Sequence, residues 1–388
     1  MKTCFTIPRL ASVGVVALLT HAAFAQTWQT VDDFSNPGYN DTRPFGVTTD
    51  PSGNLFVVGW LWDASGLSYH PMRSSGDQGI TWATSEVFAP RVGGSQSTRA
   101  ITSDSAGNLY TAGAYAANGG SYLIVALSQD HGLTWNTLDD GSPATFCGAI
   151  TTDAAGNIYA VGNLNSTWIV RKATAGGTSW ANVDSFNPNG AGSTAKAVFC
   201  HPTAGVFVAG MANTGFKGAA VATVRRSLDG GATWTTVDNA VAGSGDALGA
   251  DAAGNLFMAT DRWTVRKSSN GGTNWSTVEN FQYGVTTTSS TKPYKTQTQY
   301  YAAAATGFAR DAYGNLFIVG YTPSSPSVWI VRENPGGTGA WQTVDTFQYG
   351  SGLNSAVSGV ATDNSGHVYV VGHGHDVTGV SQWIVRKR

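Results

Sequence analysis

The sequence predicts an all-β fold: one seven-bladed β-propeller of four-stranded antiparallel blades, with the N-terminal strand completing the last blade. Three observations carry this expectation. A motif Asp-x-x-Gly-Asn-(Leu/Ile)-(Phe/Tyr) recurs along the chain, its copies are evenly spaced, and each is followed by β-branched and aromatic residues. The copies begin at Asp50, Asp104, Asp153, Asp251 and Asp311, with weaker ones at His201 and Asp363, so that successive spacings are 54, 49, 48, 50, 60 and 52 residues. That period belongs to propeller blades rather than to helical repeats.

Each copy reads as the hairpin between strands one and two. Asp at the first position, Pro or small residues next and Gly at the fourth specify a tight turn. Leu55-Phe-Val-Val-Gly59 and Leu316-Phe-Ile-Val-Gly320 have strand chemistry. A third strand follows in Trp168-Ile-Val-Arg171, Trp263-Thr-Val-Arg266, Trp329-Ile-Val-Arg332 and Trp383-Ile-Val-Arg386. A Gly-rich turn then leads to a Trp that opens the fourth. Three of these turns, Ser75 to Trp82, Ser128 to Trp135 and Ser227 to Trp234, read Ser-x-Asp-x-Gly-x-Thr-Trp, and degenerate copies end at Trp180, Trp275 and Trp341.

On these residues the chain resembles the Asp-box (BNR, sialidase-type) repeat β-propeller proteins over essentially all of its length after residue 25. The resemblance implies that the box is a structural hairpin joining strands three and four, away from the ligand face. Physical chemistry agrees, because the short Asp and Ser side chains can satisfy turn amides, Gly can take positive φ, and Trp can pack between blades. The last repeat has no box, but Trp28-Gln-Thr-Val-Asp32 matches Trp341-Gln-Thr-Val-Asp345. The N-terminal segment is therefore expected to pair beside 383–386 and remove the open sheet edge.

Composition narrows the function. Of 388 residues only 12% are charged, against roughly 25% in ordinary globular chains, while 49 are Gly and 13 Trp. This excludes a disordered or coiled-coil chain. Lys2 and Arg9 precede the apolar stretch Leu10 to Leu19, and the segment 1–25 ends in Ala23-Phe24-Ala25. That pattern is a signal peptide over 1–25, leaving 26–388 as a single domain, secreted or periplasmic. The processed chain has 20 basic and 24 acidic residues, net −4, so no basic footprint for nucleic acid exists. No later segment approaches the ~20 apolar residues of a membrane helix. Cys147 and Cys200 are expected to stay unpaired, and the protein to be a monomer.

The few charges can be sorted into scaffold and site. Asp32, Glu86, Asp139, Asp184, Asp238, Glu279 and Asp345 each follow a blade-ending Trp by four residues, and Arg73, Arg171, Arg225, Arg266, Arg332 and Arg386 recur on third strands. Their phase suggests pairs across one hairpin, such as Arg225 with Asp238. Of the eight aperiodic acids, Asp41, Asp63, Asp246, Asp261 and Asp376 fall in the loops between strands two and three and between blades, which share one face, while Asp33, Asp140 and Glu333 do not; the bases Arg43, Arg99, Lys196, Lys217, Arg262, Lys292 and Lys295 fall there too. In register, Phe45, Arg99, Gly148, Lys196, Asp246, Thr306 and Ser358 should ring the channel mouth, with Trp60, Asp261, Tyr321 and His373 at the ends of second strands. The insertion over 283–304, with Lys292, Tyr294, Lys295, Tyr300 and Tyr301, reads as a long structureless loop over that mouth. His373-Gly-His375-Asp376 falls short of the three or four ligands of a zinc site. No metal or cofactor is expected.

Two functional readings follow. The first is a binding or interaction module for a glycan, peptide or extracellular protein. It would use Trp60, Trp62, Arg99, Tyr115, Lys196, Asp246, Asp261, Arg262, Tyr300, Tyr301, Tyr321, His373, His375 and Asp376. The second is a sialidase-superfamily-like glycoside hydrolase or a polysaccharide lyase using funnel carboxylates, with Asp246 and Asp261 or Asp41 and Asp376 as the pair. The family resemblance implies for true sialidases an arginine triad, a Tyr nucleophile activated by Glu, an Asp acid/base and an Arg-Ile-Pro motif. No Arg-Ile-Pro occurs here, and the only Glu residues are Glu86, Glu279 and Glu333. An assembly factor like the Asp-box propeller of photosystem biogenesis implies an Arg patch, whereas the loop bases here are scattered among blades.

Overall fold

The computed structural model describes residues 27–35, 39–63, 65, 67–88, 96–117, 119–214, 219–288, 296–323 and 325–388. The expected signal peptide and Lys217, Lys292, Tyr294 and Lys295 lie outside them. Residues 96–143, 146–186, 193–242, 245–280 and 304–347 each form a four-stranded antiparallel sheet whose strands neighbour one another in chain order. A nine-stranded sheet joins 39–86 to 355–387 through one parallel bridge, Asp41 to Ser381. The strand Gln29–Phe34 pairs with Ser381–Lys387, with Thr30 opposite Arg386 and Phe34 opposite Trp383. Innermost strands touch their successors, and Ser355–Thr362 touches Tyr39–Thr49.

The core lies between successive sheets. Leu123 and Val125 pack with Ile150 and Ile158, and Leu55 and Val57 pack with Tyr369 and Trp383. Alternation along each strand turns one row of side chains toward the preceding sheet and the other toward the next, so strands buried on both faces read as continuous apolar runs. Cys147 and Cys200 are free thiols, and burial pushes both pKa values up to about 12.

The turns form as their residue types require. In the first box, Thr81 N and Thr81 Oγ1 donate to the two oxygens of Asp77 at 2.8 and 2.6 Å, Gly79 N donates to Ser75 Oγ at 2.7 Å, and Gly79 has φ 88°. Trp82 Nε1 reaches out of the turn to Val31 O on the neighbouring N-terminal strand at 2.9 Å. The turns beginning at Asp130 and Asp229 repeat the carboxylate bonds.

Two expectations are corrected. The recurrent Arg does not pair across its own hairpin but with the acid of the neighbouring repeat: Arg225 holds Asp184, and Asp238 is held by Arg266. Including Arg73 with Asp32, Arg171 with Asp139, Arg332 with Glu279 and Arg386 with Asp345, six such pairs span 2.6 to 3.3 Å. Removing one partner of a buried pair leaves an uncompensated charge and costs ~3–5 kcal/mol. Phenylalanines complete the clamp, with Phe34 and Phe186 each 4.2 Å from the guanidinium carbon of Arg73 and Arg225. The second correction concerns the insertion. It contains an antiparallel hairpin, Gln282–Thr288 against Thr296–Ala302, and is not structureless. Its Thr and Tyr residues favour strands.

Candidate functional site

One cavity is built by a repeated irregularity at the position where the sequence predicts the channel mouth. The pairing of every innermost strand skips a residue at one equivalent position, where Phe45, Arg99, Gly148, Lys196, Asp246, Thr306 and Ser358 stand; the strand Tyr39–Thr49 also skips Asn40. A β-bulge leaves its extra residue free of the ladder and re-aims the side chain. All seven line one cavity of about 340 Å³. The bulge pushes a carbonyl against the second strand, where Gly162, for example, leaves room: a Cβ there would lie 1.9 Å from Phe146 O. In the 245–280 sheet the roles are exchanged, with Gly245 on the inner strand opposite Thr260.

Charges at the mouth are mostly paired. Lys196 Nζ lies 3.1 Å from Asp246 Oδ2, and the Ser244 hydroxyl donates to the other oxygen. Burial raises the Asp246 carboxyl pKa, while Lys196 and Ser244 work against that shift. Arg43 Nε donates to Asp41 at 2.9 Å. Arg99 differs. Its guanidinium carbon lies 5.0 Å from the Phe45 ring and 5.3 Å from the Phe146 ring, and its Nε donates to Ser97 Oγ at 3.3 Å. No carboxylate among the described residues pairs with it. Burial lowers its pKa from a value high enough to leave it charged at neutral pH.

A second cavity of about 300 Å³ adjoins the first at Arg99 and Phe146 and is lined by Trp60, Trp62, Tyr115, Ser97, Ser121 and Thr145. Trp60 stands 5.3 Å from Trp62 and 5.9 Å from Phe45. Tyr115 stacks obliquely on Tyr122 at 5.4 Å and donates its hydroxyl to Asp140.

The structure thus gathers Arg99, Lys196, Asp246, Tyr321 and His373 around one cavity, and Trp60, Trp62 and Tyr115 around its neighbour. Burial holds His373 down to a pKa of about 4, so it is neutral at physiological pH. His375 lies beside it, with 5.7 Å between ring centroids. Asp376 is turned to its own loop, accepting from Thr378 N, Val380 N and the Gln382 amide. Asp261 accepts from Ser244 N at 2.9 Å on a tight rim turn that also carries the exposed Arg262. Tyr300 and Tyr301 lie on the strand Thr296–Ala302; their side chains are outside the described residues. Among the described residues no cluster of three metal-ligating side chains occurs.

Phe146, shared by both cavities, was not among the sequence candidates. Its signal was available: it stands two residues before Gly148, as Ser97 stands before Arg99. A larger cavity, about 500 Å³, lies elsewhere, at the hairpin-turn end of the inner strands beside Phe199, Leu248, Phe308 and Arg310.

No protein-family model and no curated protein matches the chain. In structure it is similar to a protein of unknown function from Dyadobacter fermentans, with TM-score 0.50 and 14% identity over 93% of this chain and 98% of that one. It is similar to YCF48 bound to a D1 peptide, with TM-score 0.52 and 11% identity over 93% and 96%. It is also similar to the WD40 β-propeller domain of Doa1, with TM-score 0.53 and 12% identity over 92% and 96%. The fold is a β-propeller. At these identities the likeness concerns the fold alone. No helix among the described residues is long and apolar enough to cross a membrane.

Proposed function

We propose that the chain is an exported Asp-box β-propeller, a seven-bladed monomeric ring that binds a glycan, peptide or protein on its loop-lined face. Closure by the N-terminal strand is supported by the pairing of Gln29–Phe34 with Ser381–Lys387 and by the clamp from Arg73 to Asp32. Cleavage after Ala25 accounts for the leader-like first residues, and N-terminal sequencing of the exported protein reads it directly.

One observation carries the binding reading: two adjoining cavities, walled by aromatic rings, meet at a guanidinium that no carboxylate of the described chain neutralises. Elsewhere the recurrent Arg residues are matched with acids. Ligand sites are concave, largely apolar and carry a few convergent polar groups. A hydrolase needs two carboxyls flanking the bond it cleaves. Here Asp246 is tied to Lys196, Asp41 to Arg43 and Asp376 to its own turn, which favours a binder. YCF48, a neighbour in fold only, has a structure with a D1 peptide bound, so a peptide partner belongs in the test.

The test is a glycan array and a peptide array, with reducing-sugar release and unsaturated-product formation assayed in parallel. Binding without product is expected. Product from any bound glycan would replace this reading with the hydrolase or lyase, and silence on both arrays would end it.

A further inference from the structure

We propose that Arg99 is a carboxylate anchor, and that the ligand of this face is an acidic oligosaccharide whose hexuronate carboxylate it grips while flanking sugars fill the two cavities. This rests on the loop-face binding reading above and names its ligand. Geometry supplies the first argument. Arg99 occupies the bulge of the strand Gln96–Ser103, borders both cavities, and is held between Phe45 and Phe146. A guanidinium so held keeps its outward fork preorganised, and its planar donors match a carboxylate bidentately.

Charge supplies the second. Lys196 and Arg43, the nearby bases, are matched with Asp246 and Asp41, and the Arg residues of the sheet interfaces are matched likewise. Arg99 spends one bond on the neutral Ser97 hydroxyl. A half-desolvated cation without an anion is costly, and an incoming carboxylate recovers that cost.

The walls decide between sugar and peptide. Aromatic planes at Trp60, Trp62 and Phe146 share the lining with hydroxyls at Ser97, Ser121 and Thr145. Aromatic faces suit the C–H faces of pyranose rings, and hydroxyls suit their rims. Among the described residues neither cavity is lined by Asn or Gln, whose amides would match a peptide backbone's paired donor and acceptor. Two cavities on either side of one cation suit a linear chain with the acid in its middle.

The experiment titrates the exported protein with oligogalacturonate and oligomannuronate, with each oligomer after reduction of its carboxyls to alcohols, and with peptides bearing Asp, Glu or a free C-terminus. At least one uronate oligomer is expected to bind. Reduction of its carboxyls, or Arg99→Gln, should weaken binding tenfold or more. Arg99→Lys should recover part of the loss, and Arg310→Gln at the opposite end of the inner strands should change nothing. Thermal unfolding of Arg99→Gln within a few degrees of the parent separates the anchor from a folding role. Equal binding of the carboxyl-reduced oligomer, unaltered binding by Arg99→Gln, or no uronate binding overturns the proposal. Neutral glycans bound without Arg99 would remove the anchor but leave the loop-face reading in place. Peptides bound through Arg99 would remove the sugar. Silence on every glycan and peptide array would instead remove the loop-face reading itself.

Discussion

His70 shows what a single buried side chain does to this protein. It is fully buried, neither ring nitrogen has a hydrogen-bond partner among the described residues, and Phe88 meets it edge-on at 6.3 Å. Burial holds its pKa down to about 4, against 6.5 in the unfolded chain. Between those values the unfolded state binds the proton and the folded state does not. Stability is therefore complete above pH 6.5 and falls as pH drops toward 4, by on the order of 3 kcal/mol in all. His70→Leu should remove about that much of the pH dependence, read from urea unfolding across this window; an unchanged slope would contradict it. Gly162 is a second case. A methyl there would meet the Phe146 carbonyl, which is backbone and cannot rotate away. Gly162→Ala should cost about 3 kcal/mol or more, seen as a lowered unfolding midpoint.

At the scale of elements, two devices hold sheets and turns. The inter-sheet clamp predicts a sign that a double-mutant cycle can read. Arg225 and Asp184 should show strong coupling, whereas Arg225 and Asp238, which belong to different pairs, should show little. Arg225→Ala alone should cost ~3–5 kcal/mol, because Asp184 is left buried and charged. The box turns titrate instead of clamping. Bonds from Thr134, then from Ser128, pull Asp130 down to a pKa of about 2, and Asp77 behaves alike. A depressed carboxylate stabilises the fold above its unfolded pKa near 4 and loses that contribution as pH falls through 2. Asp130→Asn should accordingly flatten part of the acid-unfolding curve between pH 4 and 2 while lowering stability at neutral pH.

For the molecule as a whole, the chain ends matter most. Deleting 27–35 strips a strand from Ser381–Lys387, leaves Arg73 without Asp32 and uncovers the apolar cluster around Trp383. An open β-edge is also a template for aggregation. The truncated protein should lose at least about 10 °C of unfolding midpoint or precipitate. A circular permutant with joined ends and new termini between the paired strands Gln282–Thr288 and Thr296–Ala302 should keep its midpoint, since that two-stranded sheet stands apart from the four-stranded sheets. If truncation proves harmless, the proposed closure is wrong.

By itself the sequence determined what is local and periodic. The turn residues of Asp50 and Asp77, the strand runs after them and the register that puts Phe45, Arg99 and Lys196 at equivalent positions all repeat, and repetition makes their roles readable without coordinates. Tertiary structure decided what depends on the angle between neighbouring sheets. Arg225 stands between two acids, Asp184 and Asp238, at the same phase of the repeat, and only the packing of one sheet on the next shows which is within reach. The bulge was equally hidden, since an extra residue changes no composition, and with it the aim of Arg99 between Phe45 and Phe146. Periodicity reports which face a side chain shares with its neighbours along the strand, whereas the contact of Arg99 with Phe45 and Phe146 is made only across sheets.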